Sequence, residues 1–156
     1  MDPEKKTRQC TVQLTVFAHG VQRIKPLLIF KGTGKRIPDK EAKQYDPRVA
    51  VKFRENAWCD EEMMIYWERH LWNSQSTFFG ANEKRSRLLV YDHYKAHTTK
   101  KVKEILQNEC KTTLALVPPG ATSKVEALDV TVNSEFKKAV DPLATEEVTR
   151  DRKSVV

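Results

Sequence analysis

Two carboxylates sit where sequence physics disfavours them. Asp92 follows directly on the apolar run Leu88-Leu89-Val90-Tyr91. A continuous run of this kind reads as a strand covered on both faces, and ligands of open α/β sheets gather outside the carboxyl ends of the strands. The same residue also reads as an ordinary turn former opening the next loop. Asp129 stands among Val125, Leu128, Val132, Phe136 and Ala139. At about 100° per residue these positions share one helix face, and Asp129 falls inside it. A carboxylate there is costly to desolvate without a cation, a metal or donors, although free backbone N–H groups of a first helical turn would also serve. Glu126 lies three residues after Ser123 and is explained more simply as the acidic half of a capping box. One carboxylate ending a strand and one on a later helix would together make a divalent-metal site. Oxygen ligands suit Mg²⁺ or Mn²⁺, and such sites stabilise the attacking and leaving oxygens of phosphodiester chemistry.

Other constellations carry less. His93 and His97 are four residues apart, but they follow a strand end rather than sit on a helix, and no cysteine is near to complete a zinc set. Gly32-Thr33-Gly34-Lys35-Arg36 has Ile29 where a phosphate loop needs its first glycine and Arg36 where it needs Ser or Thr, so it is not one. There is no G-x-S-x-G, and a hydrolytic triad has no support. Cys10, Cys59 and Cys110 are far apart with no C-x-x-C pair, which argues against a disulfide framework and for a reducing interior.

The elements that must position these acids follow from periodicity and punctuation. Cys10–Phe17 and Ile24–Phe30 are rich in β-branched and aromatic residues and predict an antiparallel hairpin turned at His19-Gly20. The basic, Gly- and Pro-containing stretch 31–57 predicts mostly loop. Asp60 caps a predicted helix over about 61–72, with Met64, Trp67 and Leu71 inward and Glu61 and Glu62 at its positive end. A strand over Arg87–Tyr91, a helix from Thr98 or Thr99 to about Asn108, and a strand over Thr113–Val117 follow. Pro118-Pro119-Gly120 ends that strand, and the Ser123 capping box opens a helix to about Val140, where Pro142 interrupts. An antiparallel pair followed by β-α-β units means one mixed sheet flanked by helices, an α/β fold.

Length and charge narrow the field. The 156 residues are 39% hydrophobic and 31% charged, enough for one domain with a buried core and unlike a fibrous or disordered chain. No apolar run approaches the roughly 20 residues of a membrane span, and the N-terminus lacks the apolar segment of a secretory signal. The net charge is +7, and residues 1–57 hold all of the excess, with 13 Lys or Arg against 6 Asp or Glu. A one-sided basic field predicts a polyanion, with nucleic acid first. Lys31, Lys35 and Arg36 are the candidate phosphate contacts.

Four segments together resemble the catalytic domain of the pogo/Tigger transposases, within the DDE endonuclease superfamily: Cys10–Gly34, Asp46–Trp67, Leu88–Thr99 and Leu116–Val140. The resemblance runs in unbroken order over roughly residues 7–140. It implies a ribonuclease-H-like fold and Mg²⁺-dependent cleavage and strand transfer of DNA in the nucleus, water attacking first and a DNA 3′-OH second. It makes Asp92 the second catalytic acid and Asp129 the third, and matches His97 to a histidine that orients the second acid or touches DNA. The chain departs from the family at Ala18-His19-Gly20, where Ala-Asp-Gly is usual, and at Glu126-Ala127, where Gln-Pro is common. The family's first acid lies on a first strand upstream of the segment that begins at Cys10. Only nine residues precede Cys10, with Asp2 and Glu4 their only acids. The expectation is therefore a polar stub (1–9), a partial endonuclease domain (10–140) with the first strand missing, and a charged tail (141–156). The partners expected are DNA and a polypeptide supplying the missing strand, with no membrane and no small-molecule substrate. Such a domain is expected to be inactive by itself; the alternative is a domesticated, non-enzymatic DNA- or protein-binding module.

Overall fold

A computed structural model of the chain describes residues 9–18, 24–35, 37, 43–74, 87–118, 120 and 132–142. Strand β1 (Cys10–Gln13) pairs antiparallel with β2 (Leu27–Lys31), from Cys10 opposite Phe30 to Gln13 opposite Leu27. The expected hairpin is present with shorter strands, and its turn lies outside the described residues. On its other side β2 pairs in parallel with β3 (Ala50–Arg54). This strand stands where loop was expected. Val51 and Phe53 alternate with Lys52 and Arg54, the pattern of a strand with one face toward apolar neighbours. Phe53 packs against Phe30 with ring centroids 5.9 Å apart. Gly34 lies over the same ring at φ 70°, and a Cβ there would meet Phe53 at 3.0 Å, so the loop after β2 needs glycine to fold down onto the sheet.

Ala57, at φ 58°, turns the chain toward Asp60. The Asp60 side chain accepts the Met63 N–H at 3.0 Å and caps α1 (Glu61–Tyr66). The helix runs on without a break into a π-wound segment, Trp67–Trp72, closed by the Asn73 N–H donating to the Glu68 carbonyl five residues back. Wider winding brings Trp67, Glu68, Leu71 and Trp72 all inward, and all four are buried. Strand β4 (Arg87–Tyr91) pairs in parallel with β5 (Thr112–Leu116). Between them α2 (Lys100–Glu104), capped by Thr99, continues into a π-wound turn, Ile105–Glu109. Residues 132–142 are helical (α3) and run through Pro142 rather than stopping at Val140. The Ser123 capping box lies outside the described residues.

The single mixed sheet predicted from sequence is, among the described residues, two sheets: β1-β2-β3 and β4-β5. The first holds both parallel and antiparallel pairs, the second one parallel pair. Side chains of α1 join them in place of a backbone ladder. Gln13 reaches Met64 Sδ (3.7 Å) and accepts from the Cys59 thiol (3.4 Å). An aromatic row, Phe17–Trp72–Trp67–Tyr91, crosses from the segment after β1 to the end of β4, with centroid spacings of 6.4, 5.5 and 6.1 Å. One core results, built on Leu27 and Ile29 of the first sheet, Leu89 of the second, and Met64, Trp67, Val102 and Leu106 of the helices. A second correction concerns β4. Leu89 is buried, but Leu88 and Val90 are exposed, so the run is covered on one face rather than two. No helix among the described residues is long and apolar enough to cross a membrane.

Candidate active site

Asp92 emerges from the carboxyl end of β4. Its Oδ1 accepts the backbone N–H of Tyr94 at 3.1 Å and lies 2.6 Å from His97 Nδ1. The turn Lys95–His97 closes on the Tyr94 carbonyl, which accepts from the His97 N–H at 2.9 Å, and it brings His97 back over the strand end. The imidazole stacks on Tyr91 at 4.3 Å and meets Tyr94 edge-on at 5.3 Å. Burial holds the His97 pKa below its usual value, with the Asp92 charge opposing. A neutral ring with its proton on Nδ1 donates to the carboxylate and fixes its rotation. Asp92 therefore does form the turn, as one sequence reading had it, but through Oδ1. Among the described residues both of its bonds fall on that oxygen, which leaves Oδ2 for another ligand. The side chain is about one-third exposed, at 32%.

The surroundings follow by short steps. α1 packs against Lys95–His97. Burial raises the pKa of the Tyr94 hydroxyl, and the nearby Asp60 and Asp92 carboxylates add to it. Asp60 accepts from Arg54 at 3.1 Å, and Arg54 also pairs with Glu62. Arg54 is the register partner of Lys31. The carboxyl ends of β2 and β3 thus lie side by side, and α1 leads from them to the turn after β4, the strand ends at which such sheets present ligands. Lys31 and Lys35 are exposed there. Arg36, Glu126 and Asp129 lie outside the described residues.

Sequence reasoning missed Glu68. It is fully buried, and among the described residues neither carboxylate oxygen has a hydrogen-bond partner. Burial pushes its pKa up to about 8, with Glu109 adding and Arg69 opposing. The Tyr91 hydroxyl is likewise buried with no hydrogen-bond partner among the described residues. The signal was there: Glu68 lies one residue after Trp67 and three before Leu71, inside the stripe assigned to the core, as Asp129 lies inside its own.

The donor chemistry of Asp92 fits a hard cation such as Mg²⁺, which takes carboxylate oxygens and keeps several waters. Among the described residues no group of three or more His, Cys, Asp or Glu gathers to hold a metal.

Over residues 7–150 the sequence matches the DDE superfamily endonucleases. The chain belongs to that family. Among curated proteins this DDE endonuclease chain is similar to the pogo transposable element with KRAB domain of Mus musculus, 25% identical over 138 residues that cover 88% of the chain and 21% of the relative. It is similar to the human pogo transposable element with ZNF domain, 28% identical over 129 residues, 82% of the chain and 8% of the relative. It also resembles the Jerky protein of Mus musculus, 35% identical over 92 residues, 56% of the chain and 16% of the relative. The chain thus spans about a fifth or less of the length of these relatives. No solved structure matches it.

Proposed function

We propose that this DDE domain binds DNA at the carboxyl ends of β2, β3 and β4, and that Asp92 and Asp129 hold Mg²⁺ or Mn²⁺ for phosphodiester cleavage and strand transfer. The reading places the domain in the nucleus and its fold in the ribonuclease-H-like class, with residues 10–140 as the domain, 1–9 a polar stub and 141–156 a charged tail. The antiparallel β1–β2 pair and the β4-α2-β5 unit support that class. The observation that carries the function is Asp92 at a strand end, held by His97 and the Tyr94 N–H through Oδ1, with no bond on Oδ2 among the described residues. A bound divalent cation would supply charge to stabilise the attacking and leaving oxygens. His97 positions Asp92 through the Nδ1 bond. Lys31, Lys35 and Arg36 would neutralise phosphates, and Glu126 would cap its helix or stand beside Asp129.

The test is a Mn²⁺ titration followed by electron paramagnetic resonance. Wild type binds, and Asp92→Asn or Asp129→Asn weakens binding at least about ten-fold, the loss of one charged ligand being worth more than about 1.4 kcal/mol. Unchanged affinity in both variants would sink the metal reading. With two carboxylates identified rather than three, DNA cleavage by the chain alone is expected to stay at the level of an Asp92→Ala, Asp129→Ala control. A second reading, binding without cutting, is favoured by the basic excess of residues 1–57. It predicts a salt slope of about −0.9 per phosphate neutralised, flattened by replacing Lys31, Lys35 and Arg36 with Ala.

A further inference from the structure

Trp58 is 62% exposed, in contrast to Trp67 at 1% and Trp72 at 5%. An indole left in water has given up a large apolar burial, so its position matters. It follows Ala57 at φ 58°, a left-handed conformation that a residue with a Cβ rarely adopts. Its backbone N–H is held by the Asn56 side chain at 3.2 Å. Its neighbours on the other side are anchored: Cys59 to Gln13, and Asp60 as the α1 cap. The segment is thus fixed at both ends, and the ring is presented by a rigid backbone. The helix that Asp60 caps, two residues after Trp58, packs against the turn Lys95–His97, and Tyr94, itself 39% exposed, donates its backbone N–H to Asp92 at 3.1 Å. Tyr94 therefore borders the Asp92 end of β4, and Trp58 lies on the segment that leads into the helix packed there, with Lys31 and Lys35 exposed at and after the end of β2.

From this placement we infer that exposed Trp58, together with Tyr94, is a stacking ledge for an unpaired nucleobase of the DNA strand whose backbone lies at Asp92. The inference rests on the DNA reading above and adds the form of the substrate: a strand locally unstacked or single at the cutting position. A duplex hides its base faces, whereas a single strand offers a π-face at every base, and aromatic side chains take it up with little sequence preference. The neighbouring lysines would track the phosphates, which leaves base contact to the rings.

The experiment uses the full chain and three probes: a fluorescein-labelled single-stranded oligonucleotide, the same strand with abasic sites throughout, and the matching duplex. Anisotropy gives affinity across a salt series. The base-bearing single strand should bind about ten-fold or more tighter than the abasic strand. Trp58→Ala should erase that difference while leaving the salt slope unchanged, because no phosphate contact is lost. Trp58→Phe should restore most of it. Exposed Trp58 should also be the tryptophan whose emission the oligonucleotide shields from acrylamide. Equal affinity for base-bearing and abasic strands overturns the inference. So does a Trp58→Ala variant that binds as wild type, or shielding of Trp58 that rises with protein concentration without DNA, which would assign the ring to a second copy of the chain. The Mn²⁺ titration of wild type and Asp92→Asn separates the two proposals. Its failure sinks the metal reading and spares the ledge, while loss of the Trp58 effect with the Asp92 effect intact sinks the ledge alone.

Discussion

In the three-stranded sheet Leu27 and Ile29 are fully buried, and β2 has a strand on either side. In the two-stranded sheet Leu89 is buried, but Leu88 and Val90 are 65% and 57% exposed. The two central segments, Leu27-Leu28-Ile29-Phe30 and Leu88-Leu89-Val90-Tyr91, are almost the same sequence. Their different burial teaches that an apolar run specifies a strand but not what covers it. Coverage comes from elements remote in sequence. For β2 it comes from β1 and β3 alongside and from the shared core. For β4, among the described residues, it comes from the core on one face and β5 on one edge. The two sheets share a core only because α1 lays its aromatic row between them.

The sharpest way to break this comparison is to remove the joint. Trp67 is buried to 1% and touches both Trp72 and Tyr91. Trp67→Ala should cost about 3–5 kcal/mol, read from urea unfolding. If the sheets are one cooperative unit, amides of Ile29 and Leu89 should lose protection together. Faster exchange in one sheet alone would mean two separately stable halves.

Next in size is the buried acid beside that joint. Glu68 has its pKa raised to about 8 from 4.5 by burial. Between those values the folded state holds a proton that the unfolded state has released, so stability falls as pH rises through this window, by at most about 1.4 kcal/mol per pH unit. The contribution is complete below about pH 4.5 and gone above about 8. Glu68→Gln, a neutral isostere, should flatten the dependence. A variant that keeps the wild-type slope in a pH series of melting curves would move the cause elsewhere.

How much of this was legible in the sequence depends on whether the signal was local. Asp92 was readable because a strand end and its neighbour are one residue apart, and the Asp60 cap because it immediately precedes its helix. The five-residue step from Asp92 to His97 was noticed through the family resemblance, and the structure supplies its physical sense, a turn that returns the ring to the strand end. β3 was missed because Lys52 and Arg54 mask a two-residue alternation of Val51 and Phe53. Glu68 was missed because the stripe was defined by its apolar members and the acid within it was not asked what it faced. The split of the sheet could not be read at all. Which strand edges meet is set by packing across the whole core, and no local pattern carries it.

The exposed face of β4 offers a smaller test. Leu88→Lys with Val90→Lys should leave the unfolding midpoint within about 0.5 kcal/mol of wild type, since both sites are open to solvent. It should reduce self-association in sedimentation velocity, because apolar, uncovered strands recruit other chains and lysine discourages them. A large loss of stability would mean that the face is covered after all, and the contrast with β2 would shrink accordingly.

The smallest expected effect is the most discriminating about electrostatics. Arg69, in the π-wound segment after α1, holds Glu109, in the one after α2, through two bonds, Nε to Oε2 at 2.8 Å and Nη2 to Oε1 at 2.6 Å. Both side chains are nearly half exposed, at 46% and 44%, so the pair itself should be worth no more than about 1 kcal/mol. Its influence on Glu68 is separate. Glu109 raises the Glu68 pKa and Arg69 lowers it. Glu109→Gln removes the first influence and frees the guanidinium to exert the second, and both changes act in the same direction. The Glu68 midpoint, followed by carboxyl carbon chemical shift, should therefore move down. The pH at which the fold stops losing stability should move down with it, while stability at pH 4 hardly changes. An upward shift, or none, would mean that the buried carboxyl is insulated from the helix surface and that desolvation alone sets its proton affinity.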